Sequence, residues 1–159
     1  MGKDLIQAFT RLAVGIGFLS AVCDRFGLWG PHGAANVGWG DFAHFTMYTA
    51  QVNSFLPSRL APTLAIISTI FESLFGAALV LGLFTRLAAF GSACLLAIFA
   101  FSMTISFGVK APLDYSVFAA CAAALMLMQR YRFRWSIDDL VAHKYEMTAT
   151  TQLISRDVQ

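Results

Sequence analysis

The sequence places single ionisable side chains within or next to long apolar stretches, where a charge needs a partner or a task. Glu72 lies inside "IISTIFESLFGAALVLGLFTR", residues 66–86. A carboxylate in a lipid-spanning helix normally faces the interior of a helix bundle and pairs there. Arg25 and Asp114 lie near the ends of two other apolar stretches. Two carboxylates flanking an arginine can bind an anion, relay protons or polarise a carbonyl-bearing ligand.

These polar groups share one depth if the apolar stretches are straight helices. Taking the arginines at the other ends of the stretches as markers of one membrane surface, Glu72 and Arg25 each lie about 21 Å from it at 1.5 Å per residue. We therefore predict that Arg25 pairs with Glu72, and that Asp24 and Asp114 compete for the same guanidinium. We predict that Glu72 and Asp114 are catalytic. The predicted substrate-binding residues are Asp24, Arg25, His44, Ser102, Thr104 and Tyr115. Structural ties between helices are the alternative role of this layer.

The composition is that of a membrane protein. Hydrophobic residues make up 58% of the 159 residues and charged residues 13%, against roughly 45–50% and about 25% in soluble domains. The sequence therefore predicts an all-α fold, an integral membrane four-helix bundle with an interfacial helix in the first loop. The net charge of +2 is too small to indicate nucleic-acid binding. The predicted partner is the lipid bilayer, and a homo-oligomer is compatible with this arrangement.

Four stretches are long enough to cross about 30 Å of hydrocarbon. They define a transmembrane domain over residues 1–135, with spans at about 12–29, 60–84, 87–108 and 112–129. Lysine and arginine collect before the first span, between the second and third, and after the fourth. The positive-inside rule then predicts a multi-pass protein of the plasma (inner) membrane with both termini in the cytoplasm.

The segment "FTRLA" occurs twice, at residues 9–13 and 84–88. Each copy opens a span that runs in the same direction. We predict that Arg11 and Arg86 both extend to the membrane interface, as long basic side chains at helix ends commonly do.

Two shorter helices are predicted outside the spans. Asp41 is a good N-cap, and apolar residues recur at helical spacing from Phe42 to Leu56, which indicates an amphipathic helix that ends at Pro57 and covers the polar layer. After the last span, Ser136 caps a second amphipathic helix. Residues 136–159 are thus predicted to be a short cytoplasmic helix followed by a loose tail.

Several kinds of chemistry have no motif in the sequence. The three cysteines, Cys23, Cys94 and Cys121, form no CxxC pair, which argues against a thiol relay. The three histidines are too scattered to indicate a metal site, so no metal is predicted.

The pattern resembles the DoxX/DoxD family of small four-span membrane proteins. The resemblance is carried by "RLAVGIGFL" and "CDRFG" in the first span, by "ES-LFGAALVLGLFTRLAA" across the second and third, and by "GVKAPLDYSVFAA" entering the fourth. It covers most of residues 9–140. It implies a four-helix bundle and an association with redox systems, because DoxD-type chains form part of a thiosulfate:quinone oxidoreductase.

Two function classes arise from the resemblance together with the polar layer. The first is a redox-associated membrane subunit that binds quinone or a small anionic substrate at the layer and works with a redox partner subunit. The second is a non-catalytic membrane scaffold, or a lipid or small-molecule binding protein. The sequence leaves open whether the protein is an enzyme, and quinone is the one cofactor that the resemblance indicates.

Overall fold

The fold is all-α. The computed structural model of the protein describes residues 2–129 and 133–144, and every regular element in these ranges is helical. The helices are α1 (Gly2–Arg25), α2 (Phe42–Val52), α3 (Ala61–Leu81), α4 (Thr85–Phe107), α5 (Lys110–Asp114) and α6 (Val117–Met128). A 3-10 turn, Ser58–Leu60, leads into α3, and residues 137–144 form a further helical segment. This architecture confirms the predicted fold class.

Three helices are long and apolar enough to cross a membrane: α1, α3 with its leading 3-10 turn, and α4. The first span was predicted to begin near residue 12, but α1 begins at Gly2. The predicted fourth span is not one helix. Its chain forms α5, leaves helical geometry at Ser116 with φ 55°, and continues as α6, which has only 12 residues. A fourth crossing therefore stays a prediction.

The bundle is assembled from two helix pairs. Helix α1 packs mainly on α3, and α4 packs mainly on α6, while α3 and α4 are neighbours joined by a short turn. Gly15 and Gly76 lie where α1 and α3 pack closely, since a Cβ atom on Gly15 would lie 3.0 Å from the Gly76 carbonyl oxygen. Small residues at such a crossing let helices pack closely without help from the hydrophobic effect. The outward faces keep large apolar side chains exposed, as lipid-facing helices do.

The turn between α3 and α4 is closed by residues from beyond α6. Helix α3 ends at Gly82, whose φ of 70° is left-handed and therefore suits glycine. The Asp138 carboxylate then accepts hydrogen bonds from the backbone N–H groups of Phe84 (2.9 Å) and Thr85 (2.8 Å), at the start of α4. Ser136 caps segment 137–144 as predicted, because its hydroxyl accepts from the Asp139 N–H at 3.1 Å.

Arg11 does not extend into solvent, and its position relative to the membrane interface stays a prediction. Its side chain is 3% exposed, and Nη2 donates to the Trp135 carbonyl oxygen at 2.7 Å. Arg86, at the equivalent position of the repeated "FTRLA" segment, is exposed. The two arginines differ because the chain around Trp135 and Ser136 closes over Arg11.

The glycine contact gives a stability prediction with a matched control. Gly15→Ala should destabilise the protein by about 1–3 kcal/mol, because the new methyl group would meet Val80 Cγ2 at 2.9 Å and push α1 away from α3. Gly17→Ala, two residues away with nothing within 4 Å of its Cβ position, should leave stability unchanged or slightly raised. Denaturant unfolding of both variants in detergent micelles measures the difference. Equal effects of the two substitutions would contradict the close contact.

Candidate ligand-binding site

A buried ion pair joins the end of α1 to the middle of α3. Arg25 Nη2 lies 2.7 Å from each of the two Glu72 carboxylate oxygens, and the side chains are 3% and 2% exposed. This pair is the one predicted from the matched depth of the two residues, and the structure confirms the contact. Charges this far from solvent persist only when they are paired and hydrogen-bonded. Glu72 is thus explained by Arg25, whatever else the pair does.

Thr69 completes the arginine's contacts with α3. Arg25 Nη1 donates to the Thr69 hydroxyl at 2.8 Å, and that hydroxyl donates to the Ala65 carbonyl oxygen at 2.7 Å. Thr69 is not among the site residues predicted from the sequence. It lies three residues before Glu72, so helical spacing places the two side chains on one face of α3. That spacing was the signal that could have identified it.

Aromatic rings cover the guanidinium from the first loop. The centroid of the Phe45 ring, on α2, is 3.7 Å from Arg25 Cζ, and that of the Trp39 ring is 5.3 Å away. Cations are attracted to ring faces at such distances. Arg25 Nε is buried and has no hydrogen-bond partner in the described part of the chain. One N–H group of the site is therefore uncommitted, beneath an aromatic cover.

Asp24 holds the loop and does not compete for Arg25, contrary to the prediction. Its Oδ2 accepts from the N–H groups of Gly38 (2.9 Å) and Trp39 (3.1 Å), and its Oδ1 accepts from Gly40 N–H (3.3 Å). Gly38 is required for this approach, because a Cβ there would lie 2.8 Å from Asp24 Oδ2. Asp24 thereby positions Trp39 over the arginine beside it.

His44 lies at the start of α2, in a small polar group. Asp41 caps α2 as predicted: its Oδ1 accepts from the His44 N–H at 2.8 Å, and His44 Nδ1 lies 2.7 Å from its Oδ2. The His44 ring stacks on His32, with 3.5 Å between centroids. These contacts hold the pKa of the Asp41 carboxyl below its ordinary value, the backbone hydrogen bond from His44 being the largest cause. Among the described residues, no group of three or more His, Cys, Asp or Glu side chains could hold a metal ion.

No hydrogen bond or ion pair joins the other selected residues to Arg25 in the described part of the chain. Asp114 is 58% exposed and pairs with Lys110 within α5, and Tyr115 is 75% exposed. The Thr104 hydroxyl donates to the Ala100 carbonyl oxygen of its own helix, and Ser102 is buried in α4. The break at Ser116 explains the position of Asp114, since a continuous fourth helix was the basis of its predicted depth. A catalytic role for Asp114 stays a prediction without a contact to the ion pair.

The Asp41 cap gives a pH prediction. Its lowered pKa in the folded state means that the cap stabilises the protein fully above the ordinary pKa of an aspartate, about 3.9, and less as the pH falls through the lowered value. Asp41→Ala should therefore be less stable than the wild type at neutral pH, with a difference that shrinks in acid. Asp41→Asn, which can still cap the helix, is the control. Thermal melts from neutral pH to about pH 3 test this, and a difference that grows in acid would contradict it.

The ion pair predicts strong coupling between its partners. Glu72→Gln leaves Arg25 buried without a counter-charge and should cost about 3–5 kcal/mol, as should Arg25→Gln. The double variant should fall short of the sum by about 0.5–3 kcal/mol. The exposed pair Lys110–Asp114 is the matched control, for which the same cycle should show a coupling of at most about 0.5 kcal/mol. Strict additivity at Arg25 and Glu72 in detergent unfolding would refute the pairing.

Comparison with known proteins places the chain in a family. Residues 7–156 match the family described as "TQO small subunit DoxD". The searches of curated proteins and of solved structures returned no match. The family match covers nearly the whole sequence, including all the residues of the site around Arg25. The three apolar helices agree with a multi-pass membrane protein. The chain belongs to the DoxD family.

Proposed function

We propose that this protein is the membrane subunit of a redox complex and that it binds a quinone headgroup at Arg25. The family description names a small subunit of TQO, which supports a partner subunit that carries the remaining redox chemistry. The observation that carries the proposal is the uncommitted Nε–H of Arg25, buried beside the Phe45 and Trp39 rings. A quinone is flat and carries carbonyl oxygens, so it matches a donor that lies next to aromatic faces.

Each residue of the site has a distinct part in this proposal. Arg25 donates from Nε to a quinone oxygen, while its two Nη groups stay bound to Thr69 and Glu72. Phe45 and Trp39 either move aside to admit the quinone or stack on the quinone ring. In both cases their side chains keep water away from the buried charges of Arg25 and Glu72. A bound quinone would supply a two-electron acceptor, and its reduction by electrons from the partner subunit would also require two protons. Glu72 is the nearest carboxylate to the guanidinium and is the group that can hold a proton for the ligand.

A small anionic substrate is the alternative ligand of the same site. The guanidinium supplies the positive charge that an oxyanion needs, but Glu72 already neutralises it at 2.7 Å. An anion would have to displace that carboxylate or bring a proton with it. A neutral carbonyl compound has no such cost. The arrangement therefore favours quinone over a free anion.

A non-catalytic role has one specific observation in its favour. Both Nη groups of Arg25 and both Glu72 oxygens find partners inside the protein, which is what a structural tie between α1 and α3 requires. In that case the Arg25 site would fix the helices for a scaffold or a lipid-binding protein. The buried Nε–H weighs against this role, because a purely structural site gains nothing by leaving a donor unpaired.

Binding of a short-chain quinone to the purified full chain tests the proposal. Titration followed by tryptophan fluorescence should show saturable binding by the wild type. Phe45→Ala should weaken it by about tenfold, the effect of losing one well-placed aromatic contact and its water exclusion. Met47→Ala, an exposed position on the same helix, should bind as the wild type does. The same titration with inorganic sulfate tests the anion alternative.

Glu72→Gln separates a working site from a structural tie. The amide keeps the shape of the side chain but carries no charge and accepts no proton at neutral pH. The loss of stability predicted above is expected in either case, so the comparison uses the fraction of the variant that is purified folded in detergent. A working site predicts that this folded protein has weakened quinone binding and no partner-dependent turnover. Folded Glu72→Gln protein with unchanged binding and turnover would overturn the proposal in favour of the scaffold.

A further inference from the structure

A second set of buried polar groups lies at the other end of α1. Gln7 is 5% exposed, Arg11 3% and Thr85 0%. Within the described part of the chain, both amide atoms of Gln7, Nε and Nη1 of Arg11 and the Thr85 hydroxyl are buried and have no hydrogen-bond partner. Buried polar atoms without partners are few in folded proteins and costly. Their concentration at one end of the bundle points to a missing ligand.

These groups come together around the turn that joins α3 and α4. A Cβ atom on Gly82 would lie 2.5 Å from Arg11 Nη1, so the guanidinium rests against that turn. Thr85 follows three residues later and begins α4. Gln7 precedes Arg11 by one helical turn and therefore shares its face of α1. Because both Gln7 and Arg11 are buried, the face of α1 that carries them is turned toward the interior of the bundle.

One contact already holds the guanidinium in place. Arg11 Nη2 donates to the Trp135 carbonyl oxygen at 2.7 Å. Asp138 attracts Arg11 electrostatically, but its two carboxylate oxygens accept the N–H groups of Phe84 and Thr85. Arg11 is thus fixed while its Nε–H and Nη1–H groups are enclosed and have no partner in the described part of the chain. A ligand can reach them only if the chain around Trp135 and Ser136, which covers Arg11, moves aside. A fixed arginine with uncommitted donors is how proteins hold phosphate and carboxylate groups.

The set of unpaired atoms defines the ligand's chemistry. Two nitrogens of Arg11 and the amide nitrogen of Gln7 are donors and need acceptor oxygens. The amide oxygen of Gln7 needs a donor, and the Thr85 hydroxyl can serve either way. The ligand therefore combines several acceptor oxygens, a negative charge and at least one hydroxyl. Hydrogen phosphate has these features, and so does the phosphodiester of a lipid whose headgroup carries hydroxyls.

We propose that Gln7, Arg11 and Thr85 form a binding site for a phosphate-class oxyanion that also presents a hydroxyl group. The site is separate from the Arg25 cluster, since Arg11 and Arg25 lie about 21 Å apart along α1. Its occupancy would join the start of α1 to the turn between α3 and α4. The same chemistry is available from inorganic phosphate in solution and from the headgroup of phosphatidylglycerol in the bilayer.

The experiment uses the full chain with two probes. Inorganic phosphate is titrated against protein in detergent, and thermal stability is compared in nanodiscs of phosphatidylcholine alone or with phosphatidylglycerol. A saturable stabilisation by phosphate supports the site with a soluble ligand. Stabilisation by phosphatidylglycerol alone supports it with a lipid ligand. No response to either probe overturns the proposal.

Matched variants decide whether a response comes from this site. Arg11→Gln should weaken the response by at least about tenfold, as loss of a charge-assisted hydrogen bond does. Arg86→Gln, at the exposed equivalent position of the repeated segment, should respond as the wild type does. Thr85→Val keeps the side-chain shape and removes only the hydroxyl, so it tests the site even if Arg11→Gln fails to fold. Thr85→Val and Gln7→Leu should each weaken the response by several-fold; wild-type responses in both would overturn the proposal.

Neither outcome depends on the proposed function. Quinone binding is altered by Phe45→Ala and Glu72→Gln, which touch nothing at the Arg11 end. The phosphate response is altered by substitutions at Gln7, Arg11 and Thr85. Either set can fail while the other succeeds.

Discussion

The pairing of Arg25 with Glu72 is the constraint on which the rest of the structure depends. Each of these charges would be prohibitively costly alone at 2–3% exposure, so α1 and α3 must meet in one register. The first loop is then shaped to keep water away from the pair. Asp24 binds three backbone N–H groups of that loop, and this brings Trp39 over the guanidinium, beside Phe45 from α2. The ion pair thus fixes the register of two helices, and the neighbouring Asp24 fixes the position of the loop.

The molecule concentrates polar chemistry at both ends of α1 and leaves the middle to close apolar packing. Gly15 and Gly76 bring the helix backbones together between the two polar regions. At the Arg25 end nearly every polar atom has a partner inside the protein, whereas at the Arg11 end five buried atoms have none in the described residues. The first arrangement suits a site that is built and covered in advance. The second suits a site that a ligand completes.

Local sequence patterns were sufficient to predict the features that depend on spacing along one or two helices. These features are the helix type, the caps at Asp41 and Ser136 and the depth match of Arg25 with Glu72. Prediction failed for features that depend on contacts between segments far apart in the sequence. Arg11 and Arg86 share a local sequence, yet only Arg11 is covered, by residues more than a hundred positions away. The depth of Asp114 was predicted wrongly because it assumed a continuous helix. No glycine or other sequence signal indicates the left-handed conformation of Ser116 that interrupts the helix.

That interruption has a consequence for the surrounding lipid. With 12 residues, α6 is about 18 Å long, well short of the roughly 30 Å of hydrocarbon that its neighbours can traverse. A hydrophobic segment that is too short is accommodated by thinning of the adjacent leaflet, or by polar residues drawn down toward the acyl chains. Lys110 and Asp114 immediately precede the break and are exposed, so they are polar groups that headgroups could meet there. If α6 makes the predicted fourth crossing, the bilayer would therefore be thinner on the α6 side of the bundle than beside α1, α3 and α4.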